Sequence, residues 1–206
     1  MLRRCSRTLR PMRVLLAHNF YQSTAPSGED VVYRNERQLL ESSGHEVIPY
    51  ERHNDTIGAG PVQRVTTAVD SVWSRRTHAE LRALLERTRP DVAHFHNTFP
   101  LITPSAYRAC QDAGVPVVQT LHNYRLLCPG GLFLRSGQPC EQCLDGSLLN
   151  SVRHACYRGS RVATSILATG LTVNRALGSY TQLVNRYVAL TEFQKERFVP
   201  KCHVIE

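Results

Sequence analysis

Apolar residues fall in short blocks, separated by longer stretches in which they recur at helical spacing. Residues 13–18, RVLLAH, are an apolar run ending on polar residues, the pattern of a strand buried on both faces of a parallel sheet. After the loop NFYQSTAPSGED comes a helical pattern, VVYRNERQLLESSG, with Val32, Leu39 and Leu40 on one side and Gly44 as its stop. HEVIPYE gives a second strand. Residues 53–76 read as a loop and then a helix from Val62 to Trp73. Thr77 and Glu80 have the spacing of a capping box for a helix running to Arg87. DVAHFH is a third strand. Thr103 and Pro104 open a further helix, where the missing proline N–H is harmless, and Gly114 ends it. PVVQTLH is a fourth strand. Residues 158–184 are helix-like and rich in small apolar residues, and RYVAL is a fifth strand. Thr191 and Gln194 form a second capping box before TEFQKERF, and KCHVIE begins another strand.

Strand alternating with helix specifies an α/β fold: a Rossmann-like parallel sheet with helices on both faces. It carries one cysteine-containing loop insertion, residues 123–157. In such sheets ligands bind beyond the carboxyl ends of the strands, near the switch in strand order. The tips then matter: His18-Asn19, His94-Phe95-His96-Asn97 and His122-Asn123. Three histidine tips on one sheet edge predict a polar ligand cleft. Alternation points His94 and His96 to one face and Phe95 to the other, so one of the two histidines is expected to be buried structure.

Composition narrows the class. A 42% hydrophobic share with 20% charged residues is that of an ordinary folded domain, and no apolar run reaches the ~18 residues of a membrane span. The formal charge is +8, with Arg3, Arg4, Arg7 and Arg10 before Met12. Residues 1–11 therefore read as a basic tail, best explained as a start upstream of the true one, and 12–206 as the domain. No cluster of Lys or Arg interleaved with aromatics occurs, so a nucleic-acid partner is not expected. No apolar stretch follows the first arginines as a secretion signal requires, which points to the cytoplasm.

The G-x-G-x-x-G fingerprint and the P-loop are both absent after the first strand, which disfavours NAD, FAD and simple NTP binding. Ser27-Gly28 remains. It offers backbone N–H groups to an anion or a sugar hydroxyl, or Ser27 simply caps the helix. The insertion spaces its cysteines C-x11-C-x2-C-x12-C over Cys128, Cys140, Cys143 and Cys156, with His154 as a spare ligand. One C-x2-C knuckle with two flanking thiols fits a structural zinc; a disulfide, reactive thiols or free thiols are the alternatives. A closed four-cysteine site leaves no open position for catalysis. Cys110, on an apolar helical pattern, reads as a core residue.

MRVLLAHNF, a Ser-Gly loop opening a helix, SSGHEV, RPDVAHFHN, PVVQTLHNY and YVALTEFQKERF occur in that order. The series resembles the amino-terminal domain of GT-B glycosyltransferases, specifically glycosyltransferase family 4. The resemblance implies an acceptor-side domain that works with a second lobe, which holds a nucleotide-sugar through an E-x7-E motif. It implies hexose transfer with retention, without a catalytic metal or other cofactor. His122 maps to the histidine that faces the donor sugar and is the residue on which catalysis centres. His96 maps to the strand-three histidine and Gly28 to the glycine loop, where Ser27 replaces a glycine. Asn19, Ser27, Gly28, His96, Asn97, Asn123, Tyr124 and Arg125 are the candidate substrate contacts. The expected partners are a nucleotide-sugar donor, a glycan or glycolipid acceptor, and a donor-binding domain absent from these 206 residues, without which the chain is expected to be inactive. Glycolipid or polysaccharide synthesis implies peripheral contact with the inner membrane face. Residues 158–177, with Ile166, Leu167 and Leu171, are candidates for that contact or for core packing. The alternative reading is a zinc-stapled protein-binding module without catalysis.

Overall fold

The computed structural model describes residues 10–25, 27–58, 60–144, 146–199 and 204–205; the first nine residues of the basic tail lie outside that set. The chain runs β1 (Arg13–Phe20), α1 (Gly28–Ser42), β2 (Glu46–His53), α2 (Pro61–Asp70), α3 (Arg75–Thr88), β3 (Val92–Phe95), α4 (Ser105–Asp112) and β4 (Val117–Leu121). The insertion follows, with β5 (Leu134–Arg135), β6 (Gln138–Pro139) and α5 (Leu149–Arg153). The chain closes with α6 (Arg161–Ala176), α7 (Ser179–Gln182), β7 (Arg186–Ala189), α8 (Glu192–Phe198) and β8 (Val204–Ile205).

The main sheet has six parallel strands in the order β2-β1-β3-β4-β7-β8, and β5 and β6 pair as a separate antiparallel hairpin. This is the expected Rossmann-like sheet. The chain steps from β1 outward to β2, then returns to place β3 on the other side of β1. The reversal puts the switch point between β1 and β3, where a cleft opens at the carboxyl ends.

The alternation of β1 sorts the two cores. Leu15 and Ala17 join Leu81, Leu85, Phe95 and Tyr107, while Leu16 and Phe20 meet Tyr33 of α1 on the opposite face. Leu15 is fully buried, so removing its side chain costs about 2–5 kcal/mol. Cys110 is buried in the first core, as its spacing implied.

Several local readings are corrected. Val32 and Leu39 of α1 are exposed; the helix buries Asp30 and Tyr33 instead. The buried stripe is polar because the sheet beneath it presents histidines, so a hydrophobic pattern could not reveal it. Ser74, not Thr77, caps α3: its side chain accepts from the Thr77 N–H. Thr77 is buried one turn inside and donates to the Leu101 carbonyl, while Glu80 pairs with Arg52 and Arg76. Thr191 does cap α8, but Gln194 reaches the Leu190 N–H rather than that of Thr191. The helical stretch after the insertion breaks at Gly178, which takes φ +67° between α6 and α7. Leu167 and Leu171 are buried in the core rather than held out toward lipid, and no helix among the described residues is long and apolar enough to cross a membrane.

Candidate functional site

The switch point is lined from below by paired imidazoles and carboxylates. Ser27 caps α1, and Asp30 returns the bond through Oδ2 to the Ser27 N–H at 2.8 Å, a reciprocal box. The other oxygen, Oδ1, receives His18 Nε2 at 2.8 Å, with both side chains buried. Tyr33 stacks on the His18 ring, centroids 4.8 Å apart. The first two turns of α1 therefore carry an aspartate and a tyrosine onto one histidine of β1, and Ser27 holds the aspartate.

Glu36, one turn further, serves β3. Its Oε1 lies 2.5 Å from His94 Nδ1 and its Oε2 lies 3.2 Å from His96 Nε2, the latter off the line of a good hydrogen bond. His94 Nε2 meets Thr120 Oγ1 at 2.8 Å. His96 Nδ1 meets His122 Nε2 at 2.9 Å, and those rings stack with centroids 5.1 Å apart.

A carboxylate only accepts, so each ring nitrogen facing one carries the proton. His18 Nε2, His94 Nδ1 and His96 Nε2 are then donors. His18 Nδ1 accepts from the Asn97 N–H at 3.3 Å and His94 Nε2 accepts from Thr120. His96 Nδ1 accepts from His122 Nε2–H. This ordering leaves His122 Nδ1 as a bare lone pair. Burial is the main force lowering the pKa values of His18, His96 and His122. It lowers His96, and it pushes His122 down to about 4 with help from the neighbouring His96 and His18. His18 falls to about 4 because burial outweighs the attraction of Asp30. For Glu36 burial alone would raise the carboxyl, but the bonds to His94 and His96 outweigh it and hold the group well below the usual range.

Above this floor lies a cavity of about 70 Å³ whose wall includes His96, Asn97, His122, Asn123, Arg125 and Glu29. Five of the candidate contacts therefore share one space. Asn97 is also a bracket: its Nδ2 donates to the Asn19 carbonyl at 2.8 Å.

Four candidates stand elsewhere. Asn19 lies inside β1 rather than after it and is fully buried. Its Nδ2 donates to Phe20 O and Asn54 Oδ1, and its Oδ1 accepts from the Leu101 N–H, so it ties loops together beneath the cleft. Ser27 is engaged as a cap, and Gly28 is the exposed first residue of α1, with nothing within 4 Å of where a Cβ would sit. Tyr124 turns into the core against Phe133, Phe193 and Phe198 because its ring finds three aromatic partners there. Neither Asn19, Ser27, Gly28 nor Tyr124 belongs to the cavity wall.

Glu29, Asp30 and Glu36 escaped the sequence reading. Ser27-x-x-Asp30 had capping-box spacing and was the available signal for Asp30. Glu36 sits among charged residues of an amphipathic helix, and its partners come from a strand almost 60 residues later, so nothing local marks it.

The cysteine loop is ordered around a second, smaller cavity of about 20 Å³, lined by Cys128, Cys140, Cys143 and Cys156. Cys128 closes a turn on the Tyr124 carbonyl, Cys140 bonds Phe133 across the hairpin, and Cys156 bonds Ser151 at the end of α5. All four thiols are free of disulfides. Burial and the neighbouring cysteines raise the Cys143 and Cys156 thiols. His154 is exposed and outside the cavity. Among the described residues, the one group of His, Cys, Asp or Glu whose ligand atoms all lie within 4.8 Å of one another is Glu36, His94 and His96. The four cysteines share the lining of one small cavity.

A doubly covered parallel sheet with a polar cleft at its switch point defines the class: a Rossmann-like α/β domain. The family model for the glycosyl transferase 4-like domain matches residues 27–181, well over half of the 206. The chain belongs to that glycosyltransferase family, as its motif order implied. A search of curated proteins found no match.

Proposed function

We propose that this chain is the acceptor-side domain of a retaining hexosyltransferase that uses a nucleotide-sugar and builds a polysaccharide or glycolipid. The observation that carries the reading is the placement of His122: an imidazole at the tip of β4, its Nε2 2.9 Å from His96 Nδ1, at the wall of the switch-point cavity.

A histidine there has two possible tasks, general base or hydrogen-bond partner of a sugar hydroxyl. Burial, which lowers its pKa to about 4, favours the second. Holding a proton at neutral pH is uphill by about 4 kcal/mol, which makes it a poor base. A fixed lone pair suits orientation of a sugar hydroxyl instead. In this reading the cavity is one wall of the active site, and a nucleotide-sugar-binding lobe supplies the other. Acceptor delivery from a glycolipid would bring the domain to the cytoplasmic membrane face as a peripheral protein.

The cysteine loop has a separate, structural task in this proposal. Cys128, Cys140, Cys143 and Cys156 would hold one zinc as thiolates, and the ion would act as a structural cross-link. The hairpin buries little apolar surface, with Leu132 and Leu134 exposed, so a cross-link supplies the order that its small core does not.

The test is transfer of labelled hexose from UDP- and GDP-sugars to polyprenyl-linked and glycan acceptors, with the donor-binding lobe supplied. The reading expects product, lost by roughly 10-fold or more in His122→Ala. Equal transfer by the variant would exclude the assigned role. A failure of every donor to react would leave a protein-binding module as the better account.

A further inference from the structure

Three buried side-chain atoms on residues of the cavity wall have no hydrogen-bond partner; His96 Nε2 faces Glu36, which leaves Nη1 of Arg125 and Oε2 of Glu29 without one. An unsatisfied buried polar atom costs about 1–3 kcal/mol, and folded proteins keep few of them. Here two of opposite character face one space.

The remainder of each side chain is fixed. The Arg125 guanidinium sits over the rings of Phe99 and Tyr157, 5.2 and 5.3 Å from their centroids. Asn123 aligns the pair: its Nδ2 donates to Glu29 Oε1 at 2.8 Å, and its Oδ1 accepts the Arg125 backbone N–H at 2.9 Å. Burial raises the Glu29 pKa and outweighs the opposing bond from Asn123 and the charge of Arg125.

The ligand class follows from the complement these atoms require. Nη1 asks for an acceptor and Oε2 for a donor. A hydroxyl is both. A phosphate or carboxylate would satisfy Arg125 alone and bring its charge against Glu29. The wall holds one guanidinium and one carboxylate and no other Lys, Arg, Asp or Glu, so it offers no net field for an anion. Its apolar part, including Leu121, Leu126 and Ile166, suits the C–H face of a ring.

We infer that Arg125 and Glu29, aligned by Asn123, form a hydroxyl-recognition subsite whose ligand is an uncharged sugar ring rather than a phosphate or an anionic headgroup. This deepens the proposed function and rests on it only in taking the ring for the glycan acceptor.

The experiment titrates the ¹⁵N-labelled chain with methyl glycosides of glucose, galactose, mannose and N-acetylglucosamine, and separately with inorganic phosphate. The signals followed are the Arg125 Nε–H and the Asn123 side-chain amide. At least one glycoside should shift both saturably, and phosphate should shift neither. Glu29→Gln should weaken the sugar by ~5-fold, one hydrogen bond's worth. The wild-type titration stands even where a variant fails to fold. Saturable shifts with phosphate and none with sugars would make this an anion site. Silence from every probe at tens of millimolar would mean solvent alone closes the pair. Transfer failing while sugar binding persists would overturn the transferase reading alone, and the reverse result would overturn the subsite alone.

Discussion

His122 Nε2 lies 2.9 Å from His96 Nδ1, and Glu36 stands directly behind His96, with its Oε2 3.2 Å from Nε2. A residue of α1 thus reaches the cleft through β3 to the tip of β4. Glu36 is not part of the cavity wall and acts through His96, so it is a positioning residue. Glu36→Gln replaces a carboxylate that only accepts by an amide that can also donate. The change should cost ~2 kcal/mol of stability, the worth of a charge-assisted hydrogen bond, read as a lowered urea midpoint. It should also mix the tautomers of His96 and His122. Glu36→Asp should recover part of both. Unchanged stability and tautomers in Glu36→Gln would remove the column from the account.

Acid should loosen the site. His18 has a pKa of about 4 when folded and about 6.5 when unfolded, so the unfolded chain takes the proton first as pH falls. The stability it contributes is complete above pH ~6.5 and lost between there and pH ~4, on the order of 3 kcal/mol. His122 shifts in the same direction. Asp30 and Glu36, both lowered on folding, add losses below the ordinary carboxylate range. Urea midpoints measured from pH 7.5 to 4.5 should fall steadily, and less so in His18→Asn. A flat profile would contradict the buried neutral histidine.

Ser27 and Gly28 should separate cleanly. Ser27→Ala removes the cap of α1 and should cost ~1 kcal/mol in thermal or urea unfolding. Gly28→Ala meets open space and should leave stability unchanged within error. Loss of ligand binding in Gly28→Ala with normal stability would show that a ligand does approach this backbone.

Zinc is tested by elemental analysis together with thiol titration of the native chain. About one zinc per chain is expected, lost in Cys143→Ser with proteolytic sensitivity confined to the insertion. Absence of zinc, with the thiols of Cys128, Cys140, Cys143 and Cys156 all reacting, would return the loop to free cysteines.

Much of this fold was legible because buried parallel strands announce themselves as short apolar runs, and RVLLAH and PVVQTLH end on the histidines that mark the cleft edge. The alternation rule also placed His94 and His96 on one face, with both meeting Glu36. Legibility stopped where partners come from distant segments. Leu40 does pack against Leu16, Phe20 and Tyr33, but the rest of the face α1 buries meets His18, His94 and His96, so the stripe through Asp30 and Tyr33 was hidden. Tyr124 looked available beside His122 because its aromatic partners, Phe133 of the insertion and Phe198 of α8, come together only in the folded chain. Asn19 was mistaken for a cleft residue because β1 runs two residues further than its apolar stretch.

The most direct measurement is the ring-nitrogen spectrum of His122, read by long-range ¹H–¹⁵N correlation at neutral pH. The account predicts a neutral ring protonated at Nε2, with an Nδ1 signal that moves when a nucleotide-sugar and the donor-binding lobe are added. A ring charged at pH 7, or protonated at Nδ1, would contradict it.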